Sequence, residues 1–106
     1  MQVTPNLDYI KKLAGDNTEF EQKFIGILKD EFPQESQEYK DHILDQDFKK
    51  ASEMVHKLKH KFNILSMTKA YAYAVSYEEE LLREDAKGDL NFREYLRIIT
   101  NYLKTL

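Results

Sequence analysis

His56, Lys59 and His60 are the residues of this chain whose types and spacing suit chemistry. They stand at i, i+3 and i+4 within residues 51–66, a stretch that reads as one helix with two faces. With His56 set at zero and ~100° per residue, Ala51, Met54, Val55, Leu58, Phe62 and Leu65 fall in one opposite arc. That arc requires burial against other helices. Ser52, Glu53, Lys59, His60 and Asn63 lie within about 60° of His56. The histidine is therefore expected at the surface, at mid-helix, beside a fixed positive charge. An exposed imidazole is mostly neutral at pH 7 and carries a nucleophilic nitrogen. An ammonium one turn away, about 4 Å from a bound phosphoryl oxygen, would contribute roughly 1–4 kcal/mol per charge pair. The chemistry that suits this set is transfer of an anionic group to His56, with Lys59 as charge partner. Lys57 points ~100° away and suits contact with an acidic partner.

Each of these residues also has a plainer reading. A surface histidine and solvated lysines are common on helices. Two histidines at i and i+4 can share a metal ion, but a site needs at least a third ligand. Glu53 is the nearest acid on that face, a turn before His56, and no acid separates the two histidines. Metal binding is not expected, and His60 reads as a docking-surface residue beside the acceptor. His42 has no partner pattern. Tyr71, Tyr73 and Tyr77 are spaced for packing. Glu78-Glu79-Glu80 reads as a solvated face or a set of i,i+4 partners. Serine-hydrolase, P-loop and dinucleotide signatures are absent.

Composition bounds the answer. A chain of 106 residues forms one domain with one core. It has no cysteine, so no disulfide framework or thiolate metal site. No apolar run approaches the ~20 residues of a membrane span, and the N-terminus lacks signal-peptide order. A soluble cytoplasmic domain, 1–106, without membrane contact is expected. The net charge of −3 disfavours nucleic-acid binding. Residues 49–69 carry six lysines against one acid, so the remainder of the chain carries −8. A local positive patch on an acidic body suits one anionic group or one acidic partner surface.

Three glycines and two prolines argue for helix nearly throughout. Residues 1–5 read as a lead-in. Asn6 is placed to cap a short helix carrying Leu7, Ile10 and Leu13, stopped at Gly15. Thr18 to Glu21 reads as a capping box. The helix it opens sets Phe20, Phe24, Ile27, Leu28 and Phe32 on one stripe. Pro33 predicts a kink, with Ser36, Tyr39, Lys40 and Ile43 continuing inward. Asp47 is the expected N-cap of the His56 helix. Ser66 or Thr68 is expected to cap the next, which carries Tyr71, Ala74, Val75, Glu78, Leu81 and Leu82 along one side. Lys87-Gly88-Asp89 is a turn. The last helix, about 91–105, carries Phe92, Tyr95, Leu96, Ile99 and Leu103. This pattern predicts an all-α, antiparallel up-down four-helix bundle with a short additional N-terminal helix.

His56-Lys57-Leu58-Lys59, followed by Leu65-Ser66, resembles the signature of histidine-containing phosphotransfer (HPt) domains. That signature is Ala/Val-His-x-Leu-Lys-Gly with a hydrophobic-Gly pair at the helix end. An acidic helix precedes it here, and an aromatic, alanine-rich helix with Tyr77-Glu78 follows. The likeness spans nearly the whole chain. Two positions depart from it: His60 and Ser66 stand where the family has glycine. The resemblance implies a multistep phosphorelay. His56 would accept a phosphoryl group from the receiver domain of a hybrid sensor histidine kinase and pass it to a response regulator. Lys59 would stabilise the phosphoryl charge, and Ser52, Glu53, Lys57, His60 and Asn63 would meet the partner. The chain would be a monomeric covalent phosphocarrier rather than an enzyme, with no cofactor of its own. Mg²⁺ would sit on the partner receiver domain. The competing expectation is a helical module that docks a receiver domain without carrying phosphate.

Overall fold

The computed structural model describes residues 4–106, and among these it is all-α. The lead-in expected over residues 1–5 lies partly outside the described residues. Its described end is anchored: Pro5 is buried and Asn6 N–H donates to the Leu65 carbonyl at 3.0 Å. Five helices follow: α1 (Asp8–Ala14), α2 (Thr18–Leu44), α3 (Phe48–Ile64), α4 (Thr68–Leu82) and α5 (Asp89–Leu103). α3 packs against both α2 and α4, α5 against α2 and α4, and α1 against α2. The shared core takes Leu28, Phe32 and Tyr39 from α2, Val55, Leu58 and Phe62 from α3, and Tyr77 and Leu81 from α4. Phe92, Leu96 and Ile99 of α5 complete it, with Ile10 of α1 covering one side.

Helix starts follow local capping chemistry. Asn6 Oδ1 accepts from Asp8 N–H, but the cap of α1 is Leu7, which has no side-chain cap bond, so the expected Asn6 cap lies one residue outside the helix. Asp47 accepts from Lys50 N–H and opens α3. The expected capping box does not form. Asn17, one residue earlier, takes that role by accepting from Phe20 N–H at 2.9 Å. Asn is the stronger cap, and Thr18 becomes the first helical residue. α2 runs unbroken through Pro33. Its inward stripe is Ile25, Leu28, Phe32, Ser36 and Tyr39, whereas Phe20 and Ile27 are exposed. Leu13 of α1 is exposed as well.

Three helices end in the same way, without glycine. At the end of α3, Ser66 N–H donates to Asn63 O and Met67 N–H to Phe62 O. This is a Schellman motif, with Ser66 at φ 64° and the buried pair Phe62 and Met67 closing over it. Neither Ser66 nor Thr68 caps α4, because Ser66 already terminates α3. Gln46 (φ 58°) and Glu84 (φ 60°) end α2 and α4 with the same pair of bonds. A left-handed non-glycine residue costs about 1 kcal/mol or more. Ser66→Gly is therefore expected to raise stability by about 1 kcal/mol, or roughly 5 °C in midpoint. Thermal unfolding followed by circular dichroism checks this, with Ser66→Val expected to shift the midpoint downward.

A buried polar cluster ties α2, α4 and α5 together. Tyr77 Oη donates to Tyr39 Oη at 2.6 Å, and Tyr39 donates to Asp89 Oδ1 at 2.6 Å. Arg93 Nε grips the same carboxylate at 2.9 Å. Tyr73 Oη donates to the Gly88 carbonyl, and a Cβ at Gly88 would lie 2.7 Å from that hydroxyl and 2.8 Å from the Tyr77 ring. Glycine is needed there for close approach. Burial, then the bond to Tyr39, sets Tyr77: burial dominates and its phenol is pushed up to about 12. Burial and the bond to Asp89 drive Tyr39 far higher. Both phenols stay protonated in the fold while unfolded tyrosines ionise near pH 10. Stability from these groups is thus complete below pH 10 and is lost as pH climbs through 12. Each phenol still protonated in the fold removes about 1.4 kcal/mol per pH unit in that window. Denaturant unfolding at pH 9 and pH 11 checks the slope, which a Tyr39→Phe/Tyr77→Phe variant should flatten.

Candidate functional site

α3 presents the site because its apolar arc is fully occupied. Ala51, Met54, Val55, Leu58, Phe62 and Leu65 are all buried, as the periodicity predicts. His56 is thereby turned outward, and its side chain is 55% exposed. Glu53, Lys57, His60 and Asn63 are exposed on the same side. Ser52 departs from the expected partner face. It is buried, and its hydroxyl donates to the Lys49 carbonyl at 2.6 Å. Lys59 is drawn inward too, with only 13% of its side chain exposed. The cause is α4. Buried Ala70 and Ala74 carry so little bulk that α4 closes over this flank of α3.

Closing α4 onto α3 brings in Glu78, expected along one side of α4 and, within its run of glutamates, on a solvated face or in i,i+4 pairs, but not as a partner of His56. Glu78 lies between His56 and Lys59. Its Oε2 is 3.1 Å from His56 Nδ1, and its Oε1 accepts from Lys59 Nζ at 2.9 Å. One carboxylate therefore holds both His56 and Lys59. A carboxylate only accepts, so Nδ1 is the protonated ring nitrogen in the neutral imidazole. The lone pair then resides on Nε2, at the other edge of the ring. Glu78 fixes tautomer and ring orientation together, in the way a hydrogen-bonded second partner orients a metal-ligating histidine.

His60 meets His56 edge to face, with ring centroids 5.0 Å apart. It shares the exposed face of His56, and no group of three metal-ligating side chains occurs among the described residues. The positive patch is smaller than the sequence count implies. Lys61 is held by Glu31 and Glu35 of α2, Lys59 by Glu78, and Lys50 by Asp47. Lys49 and Lys57 are exposed and line the same cavity as His56. Beside His56, between α3 and α4, lies a cavity of about 470 Å³ lined by Lys49, Ser52, Glu53, Lys57, Glu78 and Leu82. Leu82 and Val75 were expected inward but are exposed. The buried row of α4 is Ala70, Ala74, Tyr77 and Leu81: Ala74 and Leu81 belong to the expected row, and Ala70 and Tyr77 join them in place of Val75 and Leu82.

Comparisons of the chain with protein-family models, with curated proteins and with solved structures give no match. The side chains themselves carry the functional reading. No helix of the described residues is long and apolar enough to cross a membrane.

Proposed function

We propose that this chain is a histidine phosphotransfer domain, in which His56 Nε2 accepts a phosphoryl group from the phospho-aspartate of a receiver domain. The observation that carries the proposal is the Glu78 carboxylate on Nδ1 of an exposed, mid-helix histidine. In the transfer, Nε2 forms a bond to phosphorus as the P–O bond to the aspartyl carboxylate breaks. The carboxylate leaves with the electron pair of that bond. Nδ1 keeps its proton, so the phosphorylated ring is cationic, and Glu78 neutralises it. Lys59, one helical turn from His56, supplies positive charge to the phosphoryl oxygens. Transfer of this kind is chiefly positioning plus charge stabilisation. The residue set contains no separate base, and none is required, because Nε2 attacks through its lone pair.

The finer architecture belongs to the same reading. Connections of three residues, 45–47 and 65–67, reverse the chain between α2, α3 and α4. We read α2–α5 as an up-down four-helix bundle closed at one side by α1, acting as a monomer. The partners are a hybrid-kinase receiver domain and a response regulator, with Mg²⁺ on the receiver. A small phosphoramidate tests the acceptor without any partner. It should deposit one phosphoryl group, acid-labile and base-stable, and mapping by mass spectrometry under non-acidic conditions should place it on His56. Phosphate chiefly on His60, or no labelling of histidine, would overturn the reading. The phosphate-independent docking module predicts that second outcome.

A further inference from the structure

The cavity beside His56 does not end at Leu82. A second cavity of about 510 Å³ shares Lys49 and Leu82 with it and continues to the α2–α3 turn and the end of α4. Together they form one trough. Leu82, 60% exposed, sits at the junction, and Phe48 and buried Leu81 line the far half. Charge is graded along the trough. Lys49 and Lys57 flank the half next to His56, where Glu53 is the one acid not tied to His56 and Lys59. The far half is rimmed by Asp45, Glu84 and Asp47, the last paired with Lys50, while Lys49 at the junction lines both halves. From Phe48 to His56 the trough runs along about 12 Å of α3, roughly two helical turns.

We propose that this trough is the docking groove for the phosphodonor protein, and that its occupant is a bipolar segment of that protein. The inference rests on the phosphotransfer reading of His56. The segment carries an aliphatic side chain that packs on Leu82. It carries lysine or arginine at the end remote from its phospho-aspartate, facing Asp45 and Glu84. Its acidic, phosphorylated end lies toward Lys49, Lys57 and His56. Charge complementarity of this kind fixes the direction in which a partner lies and raises its association rate. The apolar centre, surrounded by polar rim, has the composition of a small interface core.

The test uses the full chain and the receiver domains of its source genome, each phosphorylated on aspartate with acetyl phosphate and Mg²⁺. The receiver that labels the wild-type chain fastest is the probe. Each variant's transfer rate is divided by its own rate of labelling by phosphoramidate, which needs no docking. Leu82→Asp should lower the normalised kcat/KM at least tenfold, mostly through KM. Asp45→Lys and Glu84→Lys should each lower it about threefold, and more at low salt than at high salt. Leu90→Asp, at an 81% exposed position of α5 outside the trough, should leave it unchanged. Equal effects of Leu82→Asp and Leu90→Asp would overturn the groove. So would the absence of any receiver that labels a chain which phosphoramidate does label. Failure of phosphoramidate to label His56 would instead remove the phosphotransfer reading on which the groove depends.

Discussion

His56→Gln is expected to reduce phosphoryl labelling to background while the helical content stays unchanged. Glutamine keeps the polarity of the side chain and can still donate to Glu78. It has no nitrogen lone pair able to attack phosphorus, because the amide nitrogen is delocalised into its carbonyl. Loss of label should therefore be complete with phosphoramidate and with any phosphorylated receiver. Stability should move by about 0.5 kcal/mol or less, the usual range for a surface position, since half the His56 side chain faces solvent. Two measurements on one sample check both halves: label retained after base treatment, and the thermal midpoint by circular dichroism. Label persisting at wild-type level in His56→Gln would exclude His56 as the acceptor. His60 stands one turn away with its ring against His56, so it is the residue to which a persistent label would be traced.

α3 was legible because its periodicity is unambiguous. Six apolar residues share one arc of α3, and all six are buried. The cap at Asp47 follows from residue type alone. α4 was less legible because two rows compete in it. Ala70, Ala74, Tyr77 and Leu81 repeat at the same spacing as Tyr71, Val75, Glu78 and Leu82, offset by one residue. Only packing against α3 decides between them, since alanine at two inward positions allows close approach and valine does not. Glu78 belongs to the second row, yet it reaches α3. Its partner His56 is 22 residues away on another helix, and no local pattern announces a contact of that range. Its place in a run of three glutamates pointed to a solvated face or to i,i+4 partners within α4. Ser66 shows the converse case. A position expected to hold glycine proves to need a left-handed backbone, and here serine accepts that conformation at a cost in stability.

Glu78→Ala is expected to slow phosphoryl transfer about tenfold, equivalent to about 1.4 kcal/mol in the barrier. Two effects of opposite sign compete. Removing the carboxylate frees Lys59, and a free ammonium favours the incoming phosphoryl group. It also releases Nδ1, so the ring can rotate and the proton can shift to Nε2, which then has no lone pair for attack. The cationic phosphorylated ring loses its counter-charge as well. Orientation and charge both fail at the reacting atom, whereas Lys59 is only redirected, so the loss dominates. ¹⁵N chemical shifts of the His56 ring give a readout that a merely structural role would not move. Nδ1 should carry the proton in the wild-type chain, and Nε2 should carry it increasingly in Glu78→Ala. Glu78→Gln should be intermediate, because its amide oxygen accepts from Nδ1–H without supplying charge. Lys59, largely buried against α4, is left without its carboxylate in Glu78→Ala, and the unfolding midpoint should drop. Adding Lys59→Met should recover that midpoint, but it also removes the charge partner of the phosphoryl group, so the transfer rate is compared in Glu78→Ala alone, well below its unfolding midpoint. Wild-type transfer rates in Glu78→Ala, with the proton still on Nδ1, would show that Glu78 neither sets the tautomer nor aids the reaction.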